Sequence, residues 1–284
     1  VWRTWFPGKS TAGWTAHALG SVPRTLQLAR EADILHAQAF QSIPPLRIAR
    51  ARFGTPLVTT LHTSHFLRLA QRRAWRPILR SLVGAAQHSL AASQEIADVA
   101  EHLHPSTRVE ALTNGVDTEL FRPGSGSMSR PADGRRRLIV PRRLFPKNGV
   151  EYFVRAMPRL VETSNVEAVL IGDGPERARL ERLADELGVL DRLDFAGARP
   201  HAEMPALLNS GDLAVFPSLM EATSVAALEC LSCGIPVAAS RVGGLPEIID
   251  EDVGTLFEPQ NHEDLADRVS VLLARADLAE VGER

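Results

Sequence analysis

The chain has 284 residues, of which 44% are hydrophobic, and its formal net charge is −2 at pH 7. That length is enough for two domains, and the composition is that of a soluble globular protein. Because the sequence has no run of 18 or more apolar residues, we expect no transmembrane helix. We also expect no nucleic-acid partner.

The charge is unevenly distributed along the chain. Residues 1–121 hold 13 Lys and Arg against 8 Asp and Glu, whereas residues 122–284 hold 19 against 26. A basic first half indicates a partner with negative charge, such as a lipid surface or an anionic acceptor.

The first half alternates predicted strands and helices after an ambiguous stretch at 1–14. Short apolar runs predict strands at 33–37, 56–61, 88–92 and 108–112. Amphipathic or capped segments predict helices at 22–31, 43–53, 66–83 and 94–103.

The segment 66–83 is predicted as a basic amphipathic helix. Pro77 is expected to kink it or to split it in two. Spacings of four residues would align several arginines on one stripe: Arg68, Arg72, Arg76 and Arg80. A solvated basic face and a surface that touches an anionic membrane are both compatible with this pattern.

Residues 122–135 are rich in Gly, Ser and Pro and form the natural interdomain linker. They divide the chain into a first domain at 1–121 and a second at 136–284. The second domain again alternates strands, predicted at 138–140, 166–171, 193–195, 213–216, 235–239 and 254–257, with helices. Such alternation predicts an α/β fold with parallel sheets.

The stretch 212–247 combines a buried strand, a turn, an apolar helix and a second strand. Glu221 lies in the turn, and Thr223 and Ser224 are good N-cap residues for the helix that follows. Glu229 lies within that apolar helix, so its carboxylate needs hydrogen-bond donors such as sugar hydroxyls. The free amides at the helix start also form an anion site, so the arrangement fits a nucleotide sugar.

Cys230 and Cys233 are the only cysteines. They lie near the C-terminus of the predicted helix, where the helix dipole does not lower the pKa of a thiol. Two cysteines alone cannot complete a tetrahedral zinc site. We interpret both as small buried residues of a reduced, cytoplasmic protein.

The stretch 212–247 contains the pattern F-P-S-x-x-E-x7-E, followed by G-x-P-V-A-x-S-x-x-G-G-x-P-E. This pattern resembles the retaining family 4 glycosyltransferases (glycosyl transferases group 1). The resemblance implies a GT-B fold, in which two Rossmann-like parallel-sheet domains face a cleft. It also implies a chain truncated at both ends, with an incomplete first domain.

The resemblance implies roles for the two glutamates and for one histidine. Glu221 would contact the hydroxyls of the donor sugar, and Glu229 would contact the ribose hydroxyls of the nucleotide. His62 follows a predicted strand and resembles the histidine of the family's T-x-H turn, which approaches the reacting carbon of the donor. A histidine that caps the next helix is the alternative interpretation of His62.

The segment P-R-R-L-F-P-K-N-G-V resembles the family's G-R-L-x-P-x-K-G-V, whose arginine and lysine hold the donor diphosphate. Arg143 matches the arginine. The lysine position falls on Asn148, and Lys147 comes one place earlier. We therefore assign Arg143 and Lys147 to the diphosphate, with Arg142 as a second candidate, because a diphosphate leaving group needs cations.

Further donor-binding residues are implied by the same resemblance. Gly172 lies in G-D-G-P, which resembles a family turn near the nucleotide, although a simple strand–helix turn fits equally well. The remaining candidates stand where the family more often has G-F-G-L: Ala222, Thr223, Ser224 and Val225.

By resemblance, the chain is a retaining hexosyltransferase that uses a nucleoside-diphosphate sugar. Its acceptor would be a sugar, a lipid-linked or a small-molecule compound, and it needs no metal or other cofactor. We expect a cytoplasmic location, with peripheral membrane contact through helix 66–83 as one interpretation. The alternatives are a catalytically inactive nucleotide-sugar-binding fragment, a sugar-nucleotide epimerase and a phosphorylase.

Overall fold

A computed structural model of the chain describes residues 11–62, 64–124 and 133–275. The described residues form two compact units that meet in the sequence between Thr113 and Asn114. The predicted linker at 122–135 stays a prediction, since residues 125–132 lie outside the described part. The ambiguous stretch 1–14 also lies mostly outside it.

The first unit contains a four-stranded sheet, with strand order β1-β2-β3-β4 and all neighbours parallel. Its strands are Leu35–Ala37 (β1), Leu57–Leu61 (β2), His88–Ala91 (β3) and Val109–Ala111 (β4). Its helices are Thr11–Ala29 (α1), Ile43–Phe53 (α2), Ser64–Ala70 (α3), Arg76–Val83 (α4) and Gln94–Leu103 (α5). Ser93 caps α5 by accepting a hydrogen bond from the Ile96 amide, as the sequence predicted.

The predicted helix 66–83 is two helices, α3 and α4, joined by a turn and a 3₁₀ segment at Arg73–Trp75. Pro77 lies in the first turn of α4, where its missing N–H leaves no intrahelical bond unmade. The Arg76 guanidinium donates from Nε to the Ala70 carbonyl at the end of α3, at 3.1 Å. The stripe of four arginines is therefore not on one helix face, and that part of the prediction is wrong.

The second unit contains a six-stranded parallel sheet. Its strands are Arg136–Val140 (β5), Val166–Ile171 (β6), Leu193–Gly197 (β7), Leu213–Phe216 (β8), Val237–Ser240 (β9) and Gly254–Phe257 (β10). Its helices are Val150–Ser164 (α6), Arg177–Glu186 (α7), Met204–Leu208 (α8), Val225–Ser232 (α9) and His262–Leu273 (α10). The prediction of parallel α/β sheets is thus confirmed in both units.

The strand order of this sheet is β10-β9-β8-β5-β6-β7. After β5 the chain winds outward through β6 and β7, and it then returns to place β8 on the other side of β5. The order of winding therefore reverses between β5 and β8. In open parallel sheets, ligands bind beyond the carboxyl ends of the strands at such a reversal.

The core of the second unit has two layers, one on each face of the sheet. Leu138 and Val140 of β5 pack in one layer, with α6 and α10, while the intervening Ile139 packs in the other layer, with α8 and α9. This alternation explains why the strand is apolar at successive positions, since both of its faces are covered.

Cys230 and Cys233 belong to the second of these layers and are free and buried, as predicted. Burial raises the pKa of the Cys230 thiol well above its ordinary value and that of Cys233 to about 11. Both thiols are therefore protonated at neutral pH.

None of the helices in the described part of the chain combines the length and the apolar character that crossing a bilayer requires.

Candidate functional site

Two loops meet at the reversal between β5 and β8. The loop at 141–149 follows β5, and the loop at 217–224 follows β8. The Leu219 amide donates to the Lys147 carbonyl at 2.9 Å, which joins the loops through their backbones. Gly149 has a φ of +63°, and a Cβ there would lie 1.8 Å from the Pro217 carbonyl oxygen. Only glycine permits this approach.

The G-G of the sequence pattern has a similar physical reason. Gly243 has a φ of +58°, and a Cβ at that position would lie 1.9 Å from the Glu221 carbonyl oxygen. The adjacent Gly244 amide donates to the Ala222 carbonyl at 2.9 Å. The loop after β9 thus supports the backbone that carries Glu221.

Gly172 approaches the same region by its backbone. Its φ is +148°, and a Cβ there would lie 2.3 Å from the Arg142 carbonyl oxygen. Close packing between the turn after β6 and the loop after β5 accounts for this glycine. Its predicted contact with the donor stays a prediction.

Arg142 is the centre of a buried polar cluster. Its guanidinium pairs with the Glu221 carboxylate and donates from Nη2 to Ser218 Oγ at 2.5 Å and to Asn148 Oδ1 at 3.3 Å. From Nη1 it reaches Ser224 Oγ at 3.4 Å. It also lies over the Phe216 ring, 5.5 Å from the centroid. The sequence named Arg142 only as a second candidate, and its pairing with Glu221 was not predicted.

Asn148 is buried and has partners for both ends of its amide. Nδ2 donates to the Arg143 carbonyl at 2.6 Å, while Oδ1 accepts from Arg142. Asn148 therefore ties the loop after β5 together, and its role in donor binding stays a prediction.

Arg143 and Lys147 are both exposed on the loop after β5. The Arg143 guanidinium lies 5.7 Å from the centroid of the Phe145 ring. Within the residues that the structure describes, no carboxylate lies in ion-pair contact with it. Neighbouring arginines therefore differ: Arg142 points into the protein and Arg143 is accessible from solvent.

Helix α9 begins beside this cluster. Ser224 is its N-cap, with Oγ accepting from the Ala227 amide at 3.3 Å. Ala222 and Thr223 are also buried, whereas Val225 is 40% exposed. Because the first amides of a helix lack intrahelical partners, this terminus favours an anion. The predicted anion site thus lies within contact distance of Arg142.

Glu229 lies in the middle of α9 and is buried. The sequence indicated that its carboxylate needs a donor, and His201 provides one, with Nε2 at 3.1 Å from Oε1. The His201 ring packs edge-on against Phe121 at 5.2 Å between centroids. Sequence reasoning missed His201 because it is 28 positions away from Glu229 and belongs to no local pattern.

His62 lies at the carboxyl end of β2 in the first unit. Its Nε2 donates to Gln38 Oε1 at 2.6 Å, and Gln38 also contacts the His36 ring, at 3.1 Å from Nδ1. Partial burial and then the neighbouring His36 lower the pKa of His62 below its ordinary value of 6.5. His62 is therefore neutral at pH 7, and its Nδ1 remains an acceptor.

No metal-ligand cluster is found in the described ranges, where no three His, Cys, Asp or Glu side chains are grouped closely enough to hold an ion.

Two family profiles match the chain. Residues 2–120 match the profile described as Glycosyltransferase Family 4, and residues 128–281 match that described as Glycosyl transferases group 1. The two matches adjoin the predicted linker.

Curated relatives match along most of the chain. The D-inositol 3-phosphate glycosyltransferase of Thermomonospora curvata is 32% identical over 266 residues, which are 82% of this chain and 62% of the relative. One subunit of the phosphatidylinositol N-acetylglucosaminyltransferase of Arabidopsis thaliana is 29% identical over 265 residues, which are 91% of this chain and 57% of the relative. The chain thus spans less than two thirds of the length of these relatives.

Solved structures share the fold. Anabaena HepE, crystallised with UDP, superposes with a TM-score of 0.79 at 24% identity and covers 94% of this chain and 77% of its own. Sucrose-phosphate synthase from Thermosynechococcus elongatus gives a TM-score of 0.83 at 23% identity and covers 97% and 74%. Likeness at this level of identity shows the arrangement of two parallel-sheet α/β domains known as GT-B.

Proposed function

The chain belongs to the group 1 glycosyl transferases, and from that premise we propose that it transfers a hexose from a nucleoside-diphosphate sugar to an acceptor with retention of anomeric configuration. The observation that carries the proposal is the site between β5 and β8. There the amino end of α9, the exposed Arg143 and the two carboxylates Glu221 and Glu229 occupy neighbouring loops and one helix. This set matches the parts of a nucleotide sugar.

Each part of the donor has a proposed partner. The diphosphate is bound by the α9 amides together with Arg143 and Lys147, because charge-assisted hydrogen bonds are the strong ones for phosphate oxygens. The ribose hydroxyls are bound by Glu229, whose carboxylate is held in place by His201. The sugar is bound by Glu221, with Ala222 to Val225 forming the turn beside it.

Transfer requires no nucleophile from the protein. The acceptor hydroxyl attacks the anomeric carbon from the side on which the diphosphate leaves, and the carbon–oxygen bond to the diphosphate breaks. A phosphate oxygen of the departing group takes the proton of the acceptor. The protein stabilises the charge that develops on the leaving group, through donors that are already in position.

The acceptor class follows from the first unit and its charge. Relatives include enzymes whose names give inositol phosphate and phosphatidylinositol as acceptors. We propose an anionic acceptor, and a peripheral contact of the basic segment α3–α4 with an anionic membrane. His62 is proposed to act at the reacting carbon, and its neutral form suits an acceptor of hydrogen bonds.

Nucleotide binding tests the proposal before any acceptor is known. The thermal shift of the protein is measured with UDP, GDP, ADP and their common sugar conjugates, for the wild type and for Glu229→Ala. We expect one nucleotide to stabilise the wild type, by about 2.7 kcal/mol at 100 times its dissociation constant. Because Glu229 is proposed to bind the ribose, the shift should disappear in the variant.

The matched control is Glu167→Ala. Glu167 is a partly buried carboxylate of the same unit, but it pairs with Arg137 near the amino end of β5. Its removal should lower stability and leave the nucleotide shift unchanged. If no nucleotide shifts the wild type, or if Glu229→Ala keeps the full shift, the proposed function fails.

A further inference from the structure

We propose that Arg142 supplies the buried positive charge that binds the donor diphosphate. The inference rests on the proposed function and adds to it, because the sequence pattern assigns this role to the exposed Arg143 and Lys147. It also gives a reason for the neutral Asn148 at the position where the pattern has a lysine. The charge is present at this place, but a different residue carries it.

The first step is the burial of Arg142. The residue is only 9% exposed, and a buried guanidinium is unfavourable unless it is paired and hydrogen-bonded. Its hydrogen bonds converge on Nη2, which serves Glu221, Ser218 and Asn148 together. A guanidinium has five N–H donors, and Nε has no partner among the described residues. Arg142 therefore retains donor capacity inside the protein.

The second step is electrostatic. Arg142 contacts Ser224, the N-cap of α9, so a full positive charge lies beside a helix terminus that carries about half a positive charge. A cation is unfavourable at this end of a helix, and one carboxylate, Glu221, balances it. An anion that reached both the guanidinium and the free amides would be stabilised by both. A diphosphate has the charge and the number of acceptor oxygens for this.

The third step is rigidity. The Arg142 guanidinium lies over the Phe216 ring, and the backbone beneath it is packed against Gly172. The loops that carry it and Glu221 are fastened by the contact of Gly149 with Pro217. The charge is therefore held in place before the ligand arrives, which is the condition under which a fixed donor is most effective.

Binding of UDP, GDP or ADP, whichever stabilises the wild type, tests the inference by calorimetry, with the matching nucleoside in parallel. We expect Arg142→Gln to weaken the nucleoside diphosphate about 10- to 150-fold, the equivalent of the 1.5–3 kcal/mol that a hydrogen bond to a charged group contributes. The affinity for the nucleoside, which has no phosphates, should remain within about twofold.

Glu221→Gln separates charge from positioning. If Arg142 served only to hold Glu221, the two variants would behave alike toward a nucleoside diphosphate, which contains no donor sugar. We expect instead that Glu221→Gln binds it as tightly as the wild type or more tightly, because a nearby negative charge is removed. The double variant Arg142→Gln/Glu221→Gln leaves no buried charge unpaired, so it keeps the test valid if Arg142→Gln alone unfolds.

Relocating the charge gives a rescue test. Asn148 Oδ1 lies 3.3 Å from Arg142 Nη2, so a lysine at position 148 can place its ammonium in nearly the same position. We expect Arg142→Gly/Asn148→Lys to recover at least tenfold in affinity over Arg142→Gly. The control for a buried arginine is Arg137→Gln, which should leave binding unchanged.

The outcomes separate the inference from the function on which it rests. If the wild type binds a nucleoside diphosphate and Arg142→Gln binds it equally well, Arg142 is not its ligand and only the inference fails. Equal losses for the nucleoside and its diphosphate in this variant would also overturn it. If the wild type binds no nucleotide, the proposed function itself fails and takes the inference with it.

Discussion

Strand β5 has a buried arginine near each end, and their surroundings differ. At the amino end, the Arg137 Nε donates to Glu167 Oε1 on the adjacent strand β6, at 2.7 Å. Beyond the carboxyl end, Arg142 pairs with Glu221 in the loop that follows β8. Only the second pair lies where the winding of the sheet reverses and beside a helix amino terminus. Similar ion pairs thus serve stability at one end and, by our proposal, ligand binding at the other.

The largest effect is expected from Arg143→Ala, at the carboxyl end. Loss of one fixed donor to a developing charge reduces turnover by about 10²- to 10³-fold. The side chain is exposed, so the melting temperature should stay the same. Release of nucleoside diphosphate measures kcat/KM, with Arg155→Ala as an exposed control that loses only an ion pair with Glu151 on α6. Equal activities of the two variants would remove Arg143 from the site.

The next effect is expected from Arg137→Gln, at the amino end. Loss of its charged hydrogen bond to Glu167 should lower the free energy of unfolding by about 1.5–3 kcal/mol. Arg135 stays near Glu167, at 3.6 Å, and limits the loss. Urea denaturation measures stability, and kcat/KM per folded molecule should not change. A specific loss of donor affinity in this variant would contradict the division of roles between the two ends.

The smallest effect is expected from the two helix caps, Ser224 and Ser93. Each hydroxyl accepts a hydrogen bond from an amide of the helix that it begins, so replacement by Ala should lower stability by about 1 kcal/mol in both variants. Only Ser224 lies beside Arg142, so only Ser224→Ala should raise the KM for the donor. Similar KM values in the two variants would place the donor away from the start of α9.

The sequence predicts the strands of the second unit well. The strands β6 and β8 begin and end at the predicted residues, 166–171 and 213–216. Both are continuous apolar runs bounded by polar or turn residues, because both faces of the sheet are covered. The helix at 66–83 is predicted less well, since its arginines keep a spacing of four across a break. Pro77 gives the signal for that break, because proline is favoured in the first turn of a helix.

The site is predicted in part. The pattern in the sequence points to Arg143, Glu221 and Glu229, but it cannot show which of two adjacent arginines turns inward. That choice depends on Phe216, Ser218 and Glu221, which come from another strand and its loop. His201 is likewise brought to Glu229 by packing of elements that are distant in the sequence. Local spacing contains no information on such contacts.

The glycine contacts at Gly149 and Gly243 have an evolutionary consequence. Each holds a loop of the site at backbone distance from its neighbour, so a residue inserted in either loop would separate the pair. Loop length and both glycines should therefore be intolerant of change in descendants of this sequence. Side chains that point away from the contacts, such as the exposed Val225, are free to drift. New donor preferences would then arise by exchange of single side chains on an unchanged backbone.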